Sequence, residues 1–487
     1  MNKKHSLGLW SQNLYGMGEF FGGGAFVIIN TFFTVFLTDA IGVSAALAGT
    51  IPLIGKIWDA VTDPMMGNIT DRTTSKLGAK RFYMLIGSFA SALTFLLMWL
   101  PIRSSSTAVL YIFYALMYCL FSTGFTVLMV PYNGLLPDMI DDYTTRAKFS
   151  NVRMIWSTLG AMVCGVVPTL IIKDQKDPSL YLECGLIFAV LFLITSLVTF
   201  FGTWEKQKPP VKTKMSEGFA EAIAVFRSRS FRIFVGIYLT GQCGMDFVTG
   251  MAVYYVNNVL GGNSQNHYMT FLLAALVISQ LIGMLIWGPV MTKTSKRTTI
   301  LIGAPIRIIA TLLLFPFSHA GGSIVPVLIL SMLIGIGNAA TLTSIFAIMA
   351  DMADVDELIT SISRPGTVSG MATFCRKCSS GASGAMVGLL LSAVGYKGKL
   401  AAQSASTIAG IRIIFIVAPV ILCIALFYFG YIFPMKQKEF NVVKKEIARH
   451  KGLEQSPTTE EEKKICEKVT GMSYDKLWDP ANAKLSK

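Results

Sequence analysis

The chain of 487 residues is 53% hydrophobic and only 14% charged, with a mean hydropathy of +0.57. Soluble chains carry about 25% charged residues, so the composition excludes an ordinary cytosolic enzyme. The net charge of +14 sits mostly in short loops and the tail, as basic residues beside membrane spans do, and marks no nucleic-acid-binding face.

Behind Lys3 and Lys4 comes an apolar run, Leu14 to Thr38. It is too long for a signal-peptide core and has no small-residue cleavage site, so it reads as a first span. Windows long enough to cross a bilayer then recur at 46–69, 82–102, 107–136, 151–172 and 180–202. They resume at 231–260, 266–291, 298–318, 324–350, 367–394 and 408–434. The expected fold is an all-α membrane protein, with twelve transmembrane helices in two pseudo-symmetric six-helix bundles. The predicted divisions are a first bundle over 1–202, a linker over 203–230 broken by Pro209-Pro210, a second bundle over 231–434 and a tail over 435–487. Lys and Arg favour one set of loops by about three to one, which places both termini in the cytoplasm. The tail, with a helical piece over Glu439 to His450 and the acidic run at Glu460, is expected to be solvated.

Eight cysteines are scattered along the chain, nearly all within spans, and Cys375 and Cys378 form one CxxC. The four histidines lie near span ends or in the termini, so no tetrahedral metal site can be assembled. No cofactor is expected. No nucleophile or metal constellation appears in the spans, so the chain is not expected to be an enzyme.

The two halves echo each other. Glu19-Phe20-x-x-Gly23 in the first span is matched by Asp246-Phe247-x-x-Gly250 in the seventh. The loop Gly67 to Arg81 is matched in shortened form by Gly288 to Arg297. Echoes at equivalent places in six-span halves point to an internal duplication.

Ionisable groups at membrane depth are costly and usually face a cavity with partners. Span two holds Lys56, Asp59, Thr62 and Asp63. Asp59 and Asp63 are four apart, so their carboxylates share one helix face, and Lys56 joins them. Such a pair can ligate a hard monovalent cation, with Thr62 or a neighbouring threonine completing the shell, or share a proton. Otherwise Asp63-Pro64 marks a frayed helix end. Arg153, Arg307, Arg376 and Lys377 also fall within spans, and the span-two carboxylates are the expected partners of Lys377. Glu19 and Asp246 are expected to accept hydrogen bonds from substrate or to be neutral acids in helix packing. Gly22-Gly23-Gly24 serves close helix approach or leaves room for a ligand. Asp71, Arg72, Lys80 and Arg81 are expected to form a conformational lock of ion pairs and helix-end contacts.

Together these motifs resemble a known family. Gly67-x3-Asp71-Arg72-x3-Lys76-x-Gly78-x-Lys80-Arg81 resembles the loop signature of the major facilitator superfamily. The sets Tyr15 to Phe20, Trp58-Asp59-x3-Asp63-Pro64, Val130-Pro131-Tyr132, Ala350-Asp351-x-x-Asp354 and Arg376-Lys377 are similar to those of the glycoside–pentoside–hexuronide:cation symporters (melibiose permease-like). The resemblance runs to about Met435. It implies symport of a sugar or glycoside with Na+, Li+ or H+ by alternating access. It puts cation ligation on Asp59, Asp63 and Thr126, to which the reading of span two adds Thr62. It puts basic site residues on Arg153 and Lys377, and with the reading of the spans the expected substrate group is Glu19, Gly23, Tyr132, Asn133, Arg153, Asp246, Thr373 and Lys377. At positions where the melibiose branch clamps its galactosyl group, Gly23, Met129 and Asn133 stand instead, which argues against melibiose itself. This departure leaves open a same-fold transporter of an organic ion or lysolipid. The expected setting is a monomer, multi-pass in a bacterial inner membrane, with no nucleic-acid partner.

Overall fold

A computed structural model describes residues 8–140, 143–205, 223–262, 267–362, 364–398, 400 and 402–483. Its long helices are α1 (Leu9–Ile41), α2 (Ala45–Arg72), α3 (Ala79–Leu97), α4 (Thr107–Met139), α5 (Tyr143–Ile171) and α6 (Pro178–Gly202). The second half repeats the series as α7 (Arg229–Asn258), α8 (Tyr268–Lys293), α9 (Lys296–Phe317), α10 (Ile324–Thr360), α11 (Pro365–Ala393) and α12 (Ala405–Ile432). No strand occurs among the described residues. Most of the predicted linker, residues 206–222, lies outside them.

Eight of the twelve helices are long and apolar enough to cross a membrane on their own composition. The other four are α2, α3, α7 and α11. Three of these carry the ionisable groups singled out above: Lys56, Asp59 and Asp63 in α2, Asp246 in α7, and Arg376 and Lys377 in α11. The fourth, α3, opens on Lys80-Arg81. Hydropathy is thus lowest where chemistry is densest.

Local sequence explains the helix ends. Two π-helical stretches, Ile29–Phe33 and Phe36–Ile41, widen α1, which ends at Gly42 with φ of 91°. That left-handed turn favours glycine. Pro178 opens α6 behind Asp177, whose carboxylate accepts from the Ser179 N–H, a capped and proline-led start.

The chain divides into two compact units that interleave along its length. The first comprises Met1–Thr213, Thr249–Ala274 and Gly381–Arg412. It therefore holds α1 to α6 with the later parts of α7 and α11. Small residues let α2 approach α11 closely: a Cβ on Gly49 would fall 2.8 Å from Gly388 Cα. A polar knot joins the end of α1 to α7 and to the turn after α11. The Tyr396 hydroxyl donates to both Asp39 oxygens at 3.0 and 2.9 Å, and Thr38 Oγ1 donates to Asp39 at 2.6 Å. Tyr254 Oη lies 3.0 Å from that threonine oxygen. Burial of a carboxylate is tolerated because hydrogen bonds satisfy it.

The second unit comprises Lys214–Val248, Ala275–Ser380 and Ile413–Lys487, and it holds the tail. The expectation of a solvated tail is overturned. Helices α13 (Gln437–His450) and α14 (Glu460–Thr470) bury Val443, Ile447, Cys466, Val469 and Leu477 in one core with Phe231, Phe234, Met352, Val355 and Leu358. Ser230 Oγ donates to Val469 O at 2.6 Å, and the Trp478 N–H donates to Leu358 O at 2.9 Å. Basic residues are set against the acids ending α10: Lys296 on Asp351, Lys444 on Asp354 at 2.6 Å, and Lys451 on Glu357. Apolar positions at i and i+4 give α13 one face to bury, and its lysines cover the acids.

Within the tail, Glu462 accepts from the Thr459 N–H at 3.0 Å and pairs with Arg449 at 2.9 Å. These contacts hold its carboxyl down from 4.5 to about 2, the backbone hydrogen bond contributing most. A depressed carboxyl stabilises the fold above its unfolded value and loses that contribution as pH falls through the folded one. The unfolding midpoint is therefore expected to drop between about pH 4.5 and 2, and Glu462→Gln to flatten that part of the profile. An unchanged profile in the variant would remove Glu462 from the account.

Candidate functional site

In the first unit the span-two group is built on α2. Asp59 is fully buried and pairs with Lys56 at 3.4 Å, one turn before it. The same ammonium lies 3.4 Å from the centre of the Phe26 ring, a cation–π contact strengthened by desolvation. Asp63 stands one turn beyond Asp59 and is partly exposed. Thr126 on α4 donates to its Oδ1 at 2.7 Å. The structure thus joins Asp63 to Thr126 across two helices, with Asp59 on the same α2 face. Thr62 donates to Trp58 O at 3.2 Å within its own helix; its oxygen keeps lone pairs to offer. The lysine set against Asp59 in this unit is Lys56, and Lys377 belongs to the second unit.

A second group forms around Arg153 on α5. Its Nε and Nη2 each reach Glu19 Oε2 at 2.6 Å, and Nη2 also donates to Asn133 Oδ1. The guanidinium lies 4.9 Å from the Tyr132 ring centre. That ring stacks on Tyr15 at 5.1 Å, and its hydroxyl donates to Tyr15 O at 3.0 Å. Tyr132 is thus buried between Tyr15 and the guanidinium, with its hydroxyl already committed, and supports Arg153 from behind. Four predicted residues, Glu19, Tyr132, Asn133 and Arg153, are brought together here.

Gly23 is occupied by packing. A Cβ there would fall 2.6 Å from Ser157 O and 3.0 Å from Ser157 Cα on α5. Overpacking of this kind costs about 1–3 kcal/mol, so Gly23→Ala is expected to lower the thermal unfolding midpoint. A variant as stable as the parent would show open space at this position.

In the second unit, Asp246 on α7 is held by Arg376 on α11 through two parallel bonds, Nη1 to Oδ2 at 2.6 Å and Nη2 to Oδ1 at 2.9 Å. Thr373 lies on the same helix, exposed, one turn before Lys377. Each half thus pairs an acid of its first helix with an arginine of its fifth, Glu19 with Arg153 and Asp246 with Arg376. Sequence reasoning missed Arg376 as the partner of Asp246. The Glu19/Asp246 echo, carried through to the fifth helix of each half, could have found it.

Of the predicted lock, the side chains of Asp71 and Arg72 lie outside the described residues. Lys80 pairs with Asp138 and donates to Gly134 O at 2.8 Å. Arg81 Nη2 donates to Phe200 O at 3.0 Å. Glu205 accepts from the Lys80 and Arg81 N–H groups at 3.0 and 3.1 Å, capping the start of α3. All of these contacts lie within the first unit.

Residues 14–437 match the family model described as MFS/sugar transport protein. This chain belongs to that family. It is a multi-pass membrane transporter of the major facilitator superfamily and not an enzyme. Similar relatives include the isoprimeverose transporter of Lactiplantibacillus pentosus, 24% identical, covering 85% of this chain and 86% of that one. A putative sulfoquinovose importer of Salmonella typhimurium is 26% identical over 91% of this chain and 94% of its own length. The glucuronide carrier protein homolog of Escherichia coli is 23% identical over 91% and 96%. These agree with the glycoside–pentoside–hexuronide symporter motifs. Among solved structures, a bacterial homolog of the lysosomal transporter Spinster superposes with a TM-score of 0.64, covering 92% of this chain and 98% of its own, at 14% identity. The nucleoside transporter NupG gives 0.61 over 86% and 98%, at 15% identity. These likenesses establish the facilitator fold.

Proposed function

We propose that this transporter is a cation-coupled symporter of a sugar or glycoside, driven by Na+ or H+ and working by alternating access, in a bacterial inner membrane with both termini cytoplasmic. The observation that carries the cation reading is the Thr126 hydroxyl bonded to Asp63 at 2.7 Å, with Asp59 one turn away on the same helix. Two carboxylates and a hydroxyl are the hard oxygen donors that a small monovalent cation takes, and either carboxylate alone can take a proton. Glu19, Arg153 and Asn133 offer acceptors and donors to a sugar ring, with Tyr132 supporting the arginine; in the second unit the proposed substrate residues are Thr373 and Lys377, with Asp246 acting through Arg376. Gly23 supports the group of the first unit by bringing α1 and α5 together. The relatives named for isoprimeverose, sulfoquinovose and glucuronide support the substrate class. Coupling follows by linkage: whatever factor the cation adds to sugar affinity, the sugar adds to cation affinity.

The test is uptake into proteoliposomes of labelled glycosides, pentosides and hexuronates, with and without an imposed Na+ or pH gradient. Accumulation driven by one gradient is expected. Reconstituted monodisperse protein that accumulates none of them would end the sugar reading and move the weight to an organic ion or lysolipid.

A further inference from the structure

Arginine has two edges on which it can hold an oxyanion through paired bonds: the end edge, formed by both Nη groups, and the side edge, formed by Nε and one Nη. The two arginines of this transporter use different edges. Arg153 spends its side edge on Glu19, through Nε and Nη2, and passes Nη2 on to Asn133. Arg376 spends its end edge on Asp246. Its side edge donates to no described residue, and its Nε is not among the sealed, unpartnered atoms of the interior. The side chain keeps 27% of its surface exposed. A guanidinium edge at membrane depth does not face hydrocarbon at small cost, since insertion of arginine there costs about 2.5–3.5 kcal/mol. The open edge therefore calls for a polar partner.

Asp246 fixes this edge. Its two bonds hold the guanidinium plane, so the side edge is presented in one orientation with little entropy left to lose on binding. The ammonium of Lys377 follows on the same helix, while a carboxylate already occupies the other edge. The remaining fork matches two oxygens of a carboxylate or sulfonate. A lone sugar hydroxyl would use half of it.

We propose that Arg376 is the specificity-determining residue of the second half, that its side edge binds the oxyanion of a sugar acid, and that Asp246 acts as its positioning residue. This inference rests on the sugar-transport reading and names the substrate class within it: a uronic acid or sulfonated sugar rather than a neutral glycoside. Asp246 accordingly meets Arg376, and the substrate meets the arginine.

The experiment uses full-length purified protein in proteoliposomes and matched ring pairs that differ only at C6. The probes are methyl hexosides, the corresponding methyl hexuronides and the C6 sulfonates, in the gluco and galacto series. The parent protein is expected to accumulate an acidic member at least about tenfold better than its neutral twin. Arg376→Lys keeps the charge and removes the fork. It is expected to weaken uptake of the acid by about 10- to 100-fold, as loss of a charged hydrogen bond does, and to erase the preference between twins. Because selectivity is a ratio within one preparation, it is insensitive to the yield of folded variant, and Arg376→Gln is run beside it. Equal or better uptake of the neutral twin by the parent, or full acid selectivity in Arg376→Lys, would overturn the inference and leave sugar transport standing. No uptake of any ring by monodisperse protein would overturn both.

Discussion

Asp63→Cys is expected to abolish cation-driven accumulation while leaving the protein folded, with apparent cation affinity lowered by about 10- to 100-fold. Asp63 is partly exposed and accepts from the Thr126 hydroxyl, so a cysteine at this position is not sealed in the core. The cation loses a charged ligand, and one charged hydrogen bond is worth about 1.5–3 kcal/mol. Thr126→Ala removes a neutral ligand and is expected to cost about tenfold. Asp59→Cys differs in kind. It takes away the carboxylate beside the buried Lys56, and breaking a buried ion pair costs about 3–5 kcal/mol. This variant should lose both coupling and thermal stability. Cation titration of uptake, paired with unfolding midpoints, separates the two. Full cation stimulation in both cysteine variants would place coupling on other residues.

Val469→Asp is expected to unfold the second unit's core. Val469 is wholly buried in a cluster shared by the tail and the ends of α7 and α10. The substitution loses about 1.5–3 kcal/mol of apolar burial and places a carboxylate where nothing is positioned to receive it, a cost of several kcal/mol more unless it takes up a proton. Lys438→Ala supplies the contrast. Its ion pair with Glu461 is 73% and 72% exposed, and exposed pairs contribute about 0–1 kcal/mol. The measurements are the unfolding midpoint and the fraction of protein eluting monodisperse. If Val469→Asp matched Lys438→Ala, the tail would not be part of the core.

The twelve helices were legible because lipid imposes a length and an apolar composition on each span. The α2 cluster was legible because spacing of three and four fixes which side chains share a helix face, and Lys56, Asp59 and Asp63 obey it. Thr126 came only through resemblance, since no spacing rule links residues 63 apart. The tail was misread for a physical reason. Its lysines dilute the apolar face of α13 to Val443 and Ile447, with Phe440 partly buried beside them, which looks solvated until the acids of α10 are set beside it. The π-helical turns of α1 have no signature in its apolar run, so the inward placement of Asp39 was invisible. Arg376 was read with its neighbour Lys377 as a basic dipeptide, whereas the helix turns the two side chains about 100° apart.

The docked tail also has a consequence in time. Asp354 is made 90 residues before Lys444, the residue that pairs with it. At about 5–20 residues per second, that separation leaves the acid waiting on the order of 5–20 s. Throughout that interval α11 and α12 are still being made, and Met352, Val355 and Leu358 lack the side chains of α13 and α14 that later cover them. The second half of the transporter therefore completes its packing only after α13 and α14 have been made, whereas the sixth helix of the first half is made long before.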